Sequence, residues 1–187
     1  MRILTALLMA LGCSCLASAA SGAAQAGDWR LEAFDEANDT YMKMQADEHA
    51  FLVGKEPALE AFYRDVMVPW QTAMLHLRRI IFVRKLQGKP ELLNMNESPW
   101  KWALSTPSRQ EEIQVWLSDD RGGEVQAAYK DMMRKLGALR PASQSMQLSN
   151  DVAERFRPEV NAIEGSGVAE LNALEERVLK HLAGGPP

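Results

Sequence analysis

The sequence predicts an all-α protein: a helical bundle of about four longer helices and two or three short ones, after a cleaved signal peptide. Three observations lead there. Leu and Ala dominate the residue supply while Thr and Ile are scarce, which suits helix rather than sheet. Apolar residues recur at steps of three, four and seven in several stretches. No stretch alternates with period two for long, and the nearest, Ile80-Ile81-Phe82-Val83, sits inside a helical pattern. With 187 residues, 47% hydrophobic and 25% charged, the chain has room for one core and is not wholly disordered in composition.

Residues 1–26 read as a secretory leader. Arg2 supplies the positive end, and Ile3 to Leu11 is apolar but too short to span a bilayer, which takes about 20 residues. Ala17-Ser18-Ala19 and Ala24-Gln25-Ala26 both fit a small-x-small cleavage site, and cleavage after Ala26 is preferred because Gly27-Asp28-Trp29 opens a polar, foldable region. The expected location is exported and periplasmic. Ala10-Leu11-Gly12-Cys13 offers an alternative, a lipoprotein acylated on Cys13. Both cysteines, Cys13 and Cys15, lie in the leader, so the mature chain would have no disulfide, thiol nucleophile or haem-attachment motif. Residues 27–183 read as a single helical domain, and 184–187 as a flexible tail.

The first helix is predicted over 28–53 from Leu31, Phe34, Ala37, Tyr41, Met44 and Phe51, with Gly54 ending it. The second starts at Glu56-Pro57 and carries Leu59, Phe62, Val66, Trp70, Met74, Leu77 and Ile81. That stripe holds its phase across Pro69, so a kink is predicted there, not a break. Gly88-Lys89-Pro90 stops it, and 91–107 is irregular apart from a short turn around Trp100 to Leu104. A third helix opens on a Ser108/Glu111 capping box and ends at 119–123, and a fourth carries Val125, Ala128, Met132, Leu136 and Leu139 to Arg140-Pro141. After a polar link, 142–147, a fifth begins at Asn150 or Asp151 with an Asp151/Glu154 capping box. Gly165-Ser166-Gly167 separates it from a sixth, which carries Leu171, Leu174, Val178 and Leu182.

A formal charge of −4 argues against a nucleic-acid binder that works through bulk positive charge. Beyond the leader, charges interrupt every apolar stretch, so no transmembrane segment is expected. The charge is uneven, however. Residues 66–90 contain no acid, yet hold Arg78, Arg79, Arg84, Lys85 and Lys89. Arg78 and Arg79 point away from the apolar stripe, whereas Arg84, seven residues past Leu77, falls on it in an unbroken helix: either the helix has ended, or Arg84 snorkels or pairs with an acid from another helix. A solvated basic face is the plain reading. The functional reading is a contact for an anionic envelope component or an envelope protein, through Arg78, Arg79, Lys85 and Lys89 with Trp100 and Trp102 as anchors. It requires Arg78 and Arg79 to be exposed on one face. Trp100 and Trp102 packed as a lid over the bundle is the structural reading, and the preferred one.

Met42, Met44, His49, His76 and His181 are the candidate metal or haem ligands. Thioethers with imidazole suit Cu(I), and Met42 or Met44 with His181 are the ligand types of a six-coordinate b-type haem. Core filling by methionine and boundary placement of the histidines are preferred, so no cofactor is assigned. No Gly-x-Ser-x-Gly elbow or phosphate loop is present, and a hydrolase built on carboxylates such as Asp47 and Glu48 ranks last. The expected role is therefore non-enzymatic binding to an envelope component or protein partner. A metal or haem binder is the alternative, and the oligomeric state is not indicated by the sequence.

Overall fold

Asp28 starts the first helix by local chemistry. Its carboxylate accepts the Arg30 backbone N–H at 3.0 Å and the Arg30 side chain at 2.9 and 2.7 Å, capping α1 (Trp29–Lys55). The computed structural model describes residues 28–184 except 91, 92, 94, 96, 104–109, 121 and 122; the leader, Ser108, Leu104 and the last three residues lie outside the described residues, as do the side chains of residues 110–112. A 3-10 turn (Pro57–Leu59), α2 (Glu60–Phe62), a π-turn (Tyr63–Met67) and α3 (Val68–Gly88) then run on as one rod. A second 3-10 turn (Pro99–Lys101), α4 (Gln110–Ser118), α5 (Glu124–Gly137), α6 (Ser143–Arg155) and α7 (Arg157–Leu182) complete the described chain, which contains no strand.

The element boundaries depart from the sequence expectation at four places. Helix α1 continues through Gly54 to Lys55. The strain expected at Pro69 is taken up one turn earlier: the Val68 N–H reaches back five residues to the Tyr63 carbonyl, widening the helix where the proline ring would crowd the carbonyl of residue 65. The polar link 142–147 is helical from Ser143, so Asp151 and Glu154 sit inside α6 and cap nothing; Asp151 accepts from Gln147 and Glu154 pairs with Arg157. The break expected at Gly165–Gly167 falls instead at Phe156 (φ −116°, ψ 31°), because Pro158, which has no N–H to give, starts α7.

Ion pairs and ring contacts fix the packing directions. Arg177 to Glu36, Lys43 to Glu170 (3.4 Å) and the Phe51–Phe156 ring contact lay α7 antiparallel along α1. Phe34 stacked on Phe82 (4.2 Å) and His49 on Tyr63 (4.1 Å) lay the α2–α3 rod antiparallel on the other side of α1. Arg84 to Asp120 (2.7 Å) sets α5 along α3, and Asp120 also accepts the Gln126 N–H at 2.8 Å, capping α5 beyond Gly123 (φ +69°).

The interior has two apolar clusters. The larger gathers Phe34, Ala37, Leu77, Ile81, Phe82, Trp102, Trp116, Val125 and Leu174. The smaller gathers Leu52, Leu59, Phe62, Tyr63, Val152 and Val160. Helix α1 supplies both, and its buried or half-buried residues between them are largely polar: Asn38, Tyr41, Gln45, Glu48 and His49.

At this level Gly167 is needed for contact. A Cβ there would lie 2.7–2.9 Å from the Met44 side chain, down to its own Cβ, which cannot swing away. Gly165, also inside α7, has open space around it. Gly167→Ala is expected to lose about 1–3 kcal/mol by overpacking, whereas Gly165→Ala should gain about 0.5–1 kcal/mol from helix propensity. Urea unfolding followed by circular dichroism checks both; equal effects at the two sites would contradict the packing described.

Candidate functional site

The acid-free stretch of α3 forms no continuous exposed basic face, which corrects the sequence expectation. Each of its five cations is taken up by the fold. Arg78 is 1% exposed. Its Nη2 donates to the Trp100 carbonyl and its guanidinium lies 4.1 Å from the Trp100 ring centre. Arg79 pairs with Asp35 of α1 at 2.7 Å. Arg84 pairs with Asp120 at 2.7 Å. Lys85 donates to the Trp102 carbonyl at 3.1 Å, and Lys89 pairs with Asp119 at 2.9 Å beside the Trp116 ring. Helix α3 is flanked by α1, by α5 and by the 97–103 segment, so pointing away from its apolar stripe does not mean pointing to water.

Arg78, Lys85, Trp100 and Trp102 are nevertheless brought together, as a clamp. Two cations of α3 hold two alternate carbonyls of the 97–103 segment, those of Trp100 and Trp102. Trp102 is 1% exposed and donates its indole N–H to the Glu97 carbonyl at 2.9 Å. It packs against Trp29 and Phe82. It is a lid over the larger cluster, not a surface anchor. Trp100 is half-buried, its outer face against Tyr41 at 4.4 Å.

The guanidinium of Arg78 has no carboxylate partner among the described residues, and its Nε and Nη1 are buried without a hydrogen bond. Burial pulls its pKa down to about 10, so it stays charged at neutral pH. An unpaired buried charge costs several kcal/mol. Nearby levels of the bundle carry more unmatched polarity: Asn38 Oδ1 and Gln71 Oε1 lack partners, although Gln71 Nε2 donates to Gln45 at 2.7 Å.

The candidate metal ligands are not assembled. His181 packs on Trp29 at the start of α1, and His49 stacks on Tyr63 twenty residues further on, a separation of about 30 Å at 1.5 Å per residue. His76 is exposed, thirteen residues past Tyr63, about 20 Å along the rod. Met42 packs on the larger cluster and Met44 against Gly167. Among the described residues no three His, Cys, Asp or Glu side chains are grouped to hold a metal ion. Of the two carboxylates considered for hydrolysis, Asp47 pairs with Lys43 (3.7 Å). Glu48 is raised above the usual carboxylate range, by burial first and then by Glu164 of α7.

A second site carries no signal that sequence reasoning used. At the corner between α5 and α6 a cavity of about 780 Å³ is lined by Met133, Leu136, Leu139, Arg140 and Met146. Met133 and Met146 are 42% and 41% exposed there, although they come from different helices. Arg140 is exposed and, among the described residues, makes no ion pair or side-chain hydrogen bond. The residue-level signal was the Met132-Met133 pair: Met132 fills the core, while Met133 turns outward.

No protein-family model, curated protein or solved structure matches the chain. The function must therefore be argued from the site itself. Among the described residues no helix is long and apolar enough to cross a membrane.

His49 gives a pH prediction. Its imidazole is lowered to about 4 by burial, below the ordinary value of 6.5. Between those values the unfolded chain binds a proton that the folded chain refuses, so this residue's contribution falls as pH drops from 6.5 towards 4. Glu48 next to it shifts the other way, so the effect is read as a difference. Denaturant unfolding of wild type and His49→Phe, which keeps a ring against Tyr63, should show the variant gaining on wild type as pH falls from 7 to 4.5. A constant difference would contradict the buried neutral imidazole.

Proposed function

We propose that the chain is a non-enzymatic, exported binding protein of the cell envelope, and that its ligand is an anionic single-chain amphiphile held in the α5–α6 groove. The observation that carries this reading is the convergence of two exposed methionines from different helices, with Leu136 and Leu139, on one cavity beside an unpaired arginine. Exposed apolar side chains are unremarkable singly but mark binding sites when they converge. Methionine suits a flexible alkyl chain because its unbranched thioether adapts to the shape it meets. A volume of about 780 Å³ is within the ordinary range for small-ligand sites. Arg140 selects the headgroup by charge. Export is supported by the leader pattern of Arg2, Ile3–Leu11 and the small residues before Gly27. The basic segment of α3, whose charges are matched internally or buried, is not the contact surface in this reading.

The test uses 11-(dansylamino)undecanoic acid as fluorescent probe and lauric acid as competitor. Wild type should bind the probe saturably and release it to lauric acid. Arg140→Glu should weaken lauric acid by about tenfold or more, and Met133→Asp with Met146→Asp should abolish binding while helicity is kept. A double variant that binds the probe as wild type does would overturn the proposal.

A further inference from the structure

Of the five cations in the acid-free stretch, Arg79, Arg84 and Lys89 meet carboxylates and Lys85 meets the Trp102 carbonyl, whereas Arg78 has no carboxylate among the described residues and two unpartnered donors. It is the most buried of them, at 1% exposure, and its guanidinium is held in place rather than loose. Nη2 is fixed on the Trp100 carbonyl, and the Trp100 ring covers one face. Tyr41 backs that ring at 4.4 Å. Nε and Nη1 are left as oriented, buried donors with no acceptor among the described residues. A cation held rigidly, desolvated and stripped of competing acceptors has the properties of an anion receptor, because the donors have no other partner to give up.

We infer that Arg78 is the receptor of a small-anion site beside the larger apolar cluster, where a compact monovalent anion accepts hydrogen bonds from the unpaired guanidinium N–H groups beneath Trp100. The complete burial of the side chain restricts the occupant to a halide or a carboxylate as short as formate or acetate. This site is separate from the α5–α6 groove, so it stands or falls independently of amphiphile binding.

The mature chain is studied in a HEPES buffer free of these anions, with sodium sulfate at matched ionic strength as the control. Sodium chloride, sodium formate and sodium acetate are titrated separately, which tells a halide site from a carboxylate site. Wild type should show a saturable rise in Tm of roughly 2–8 °C with at least one of them, together with a change in tryptophan emission. Arg78→Met should lose the anion-specific rise, and Trp100→Phe should lose the emission change. A rise that follows ionic strength alone, or one that Arg78→Met retains, would overturn the inference. If Arg78→Met does not fold, the wild-type comparison with sulfate and the Trp100→Phe emission decide: an emission change that survives in Trp100→Phe counts against the site.

Discussion

Helix α1 must serve two apolar clusters with a polar middle, and the rest of the structure follows from that constraint. Phe34 and Ala37 enter one cluster and Leu52 the other, while Asn38, Tyr41, Gln45, Glu48 and His49 lie between. A polar seam inside a bundle is tolerated only where partners come to it, since each unmatched buried group costs about 1–3 kcal/mol. Gln71 comes from α3, and Trp100 returns from the following segment to cover Tyr41. On the α7 side Gly167 lets Met44 sit close. The π-turn at Tyr63–Met67 belongs to the same fitting, because it re-phases the rod between the residues that meet His49 and those that meet Gln45.

The distribution of charge follows from the same geometry. With α1 on one side and α5 on another, the cations of α3 face Asp35, Asp119 and Asp120 across short distances. These pairs bring the acidic helices to the basic one and leave little positive surface for an outside partner. The exposed pairs, Arg79–Asp35 and Lys89–Asp119, contribute at most about 1 kcal/mol each and set register more than stability, whereas the Asp120 carboxylate beside Arg84 is buried. The surface with unmatched character lies elsewhere, at the α5–α6 corner. There the chain turns through Ala138–Ala142; Leu139 and Ala142 pack against the smaller cluster, while Met133 and Met146 stay exposed.

The fold class was legible in the sequence because helical periodicity reports burial on one face at a time, and α1, α5 and the body of α7 each bury mainly one face. Boundaries were less legible where local signals competed. Gly165 and Gly167 looked like a break, but Gly167 is there for Met44, a contact 123 residues away in the chain that no local rule contains. Pro158, which falls inside the predicted fifth helix, is a helix start. Arg84 was partly legible: its phase with Leu77 left a helix end, snorkelling or an acid partner open, and the partner is Asp120. Arg78 was not, because its burial depends on the return of the 97–103 segment over α3. The groove was invisible for the opposite reason: Met133 and Met146 are ordinary helix residues until the turn at 138–142 brings them to one cavity.

Binding at the α5–α6 corner, as proposed, is read out by methyl NMR of protein labelled at methionine. On addition of lauric acid, the methyl resonances of Met133 and Met146 should move together and saturably, while those of Met74 and Met132, buried in the larger cluster, stay where they are. Shifts confined to the buried methionines, or none at Met133 and Met146 at saturating ligand, would contradict it.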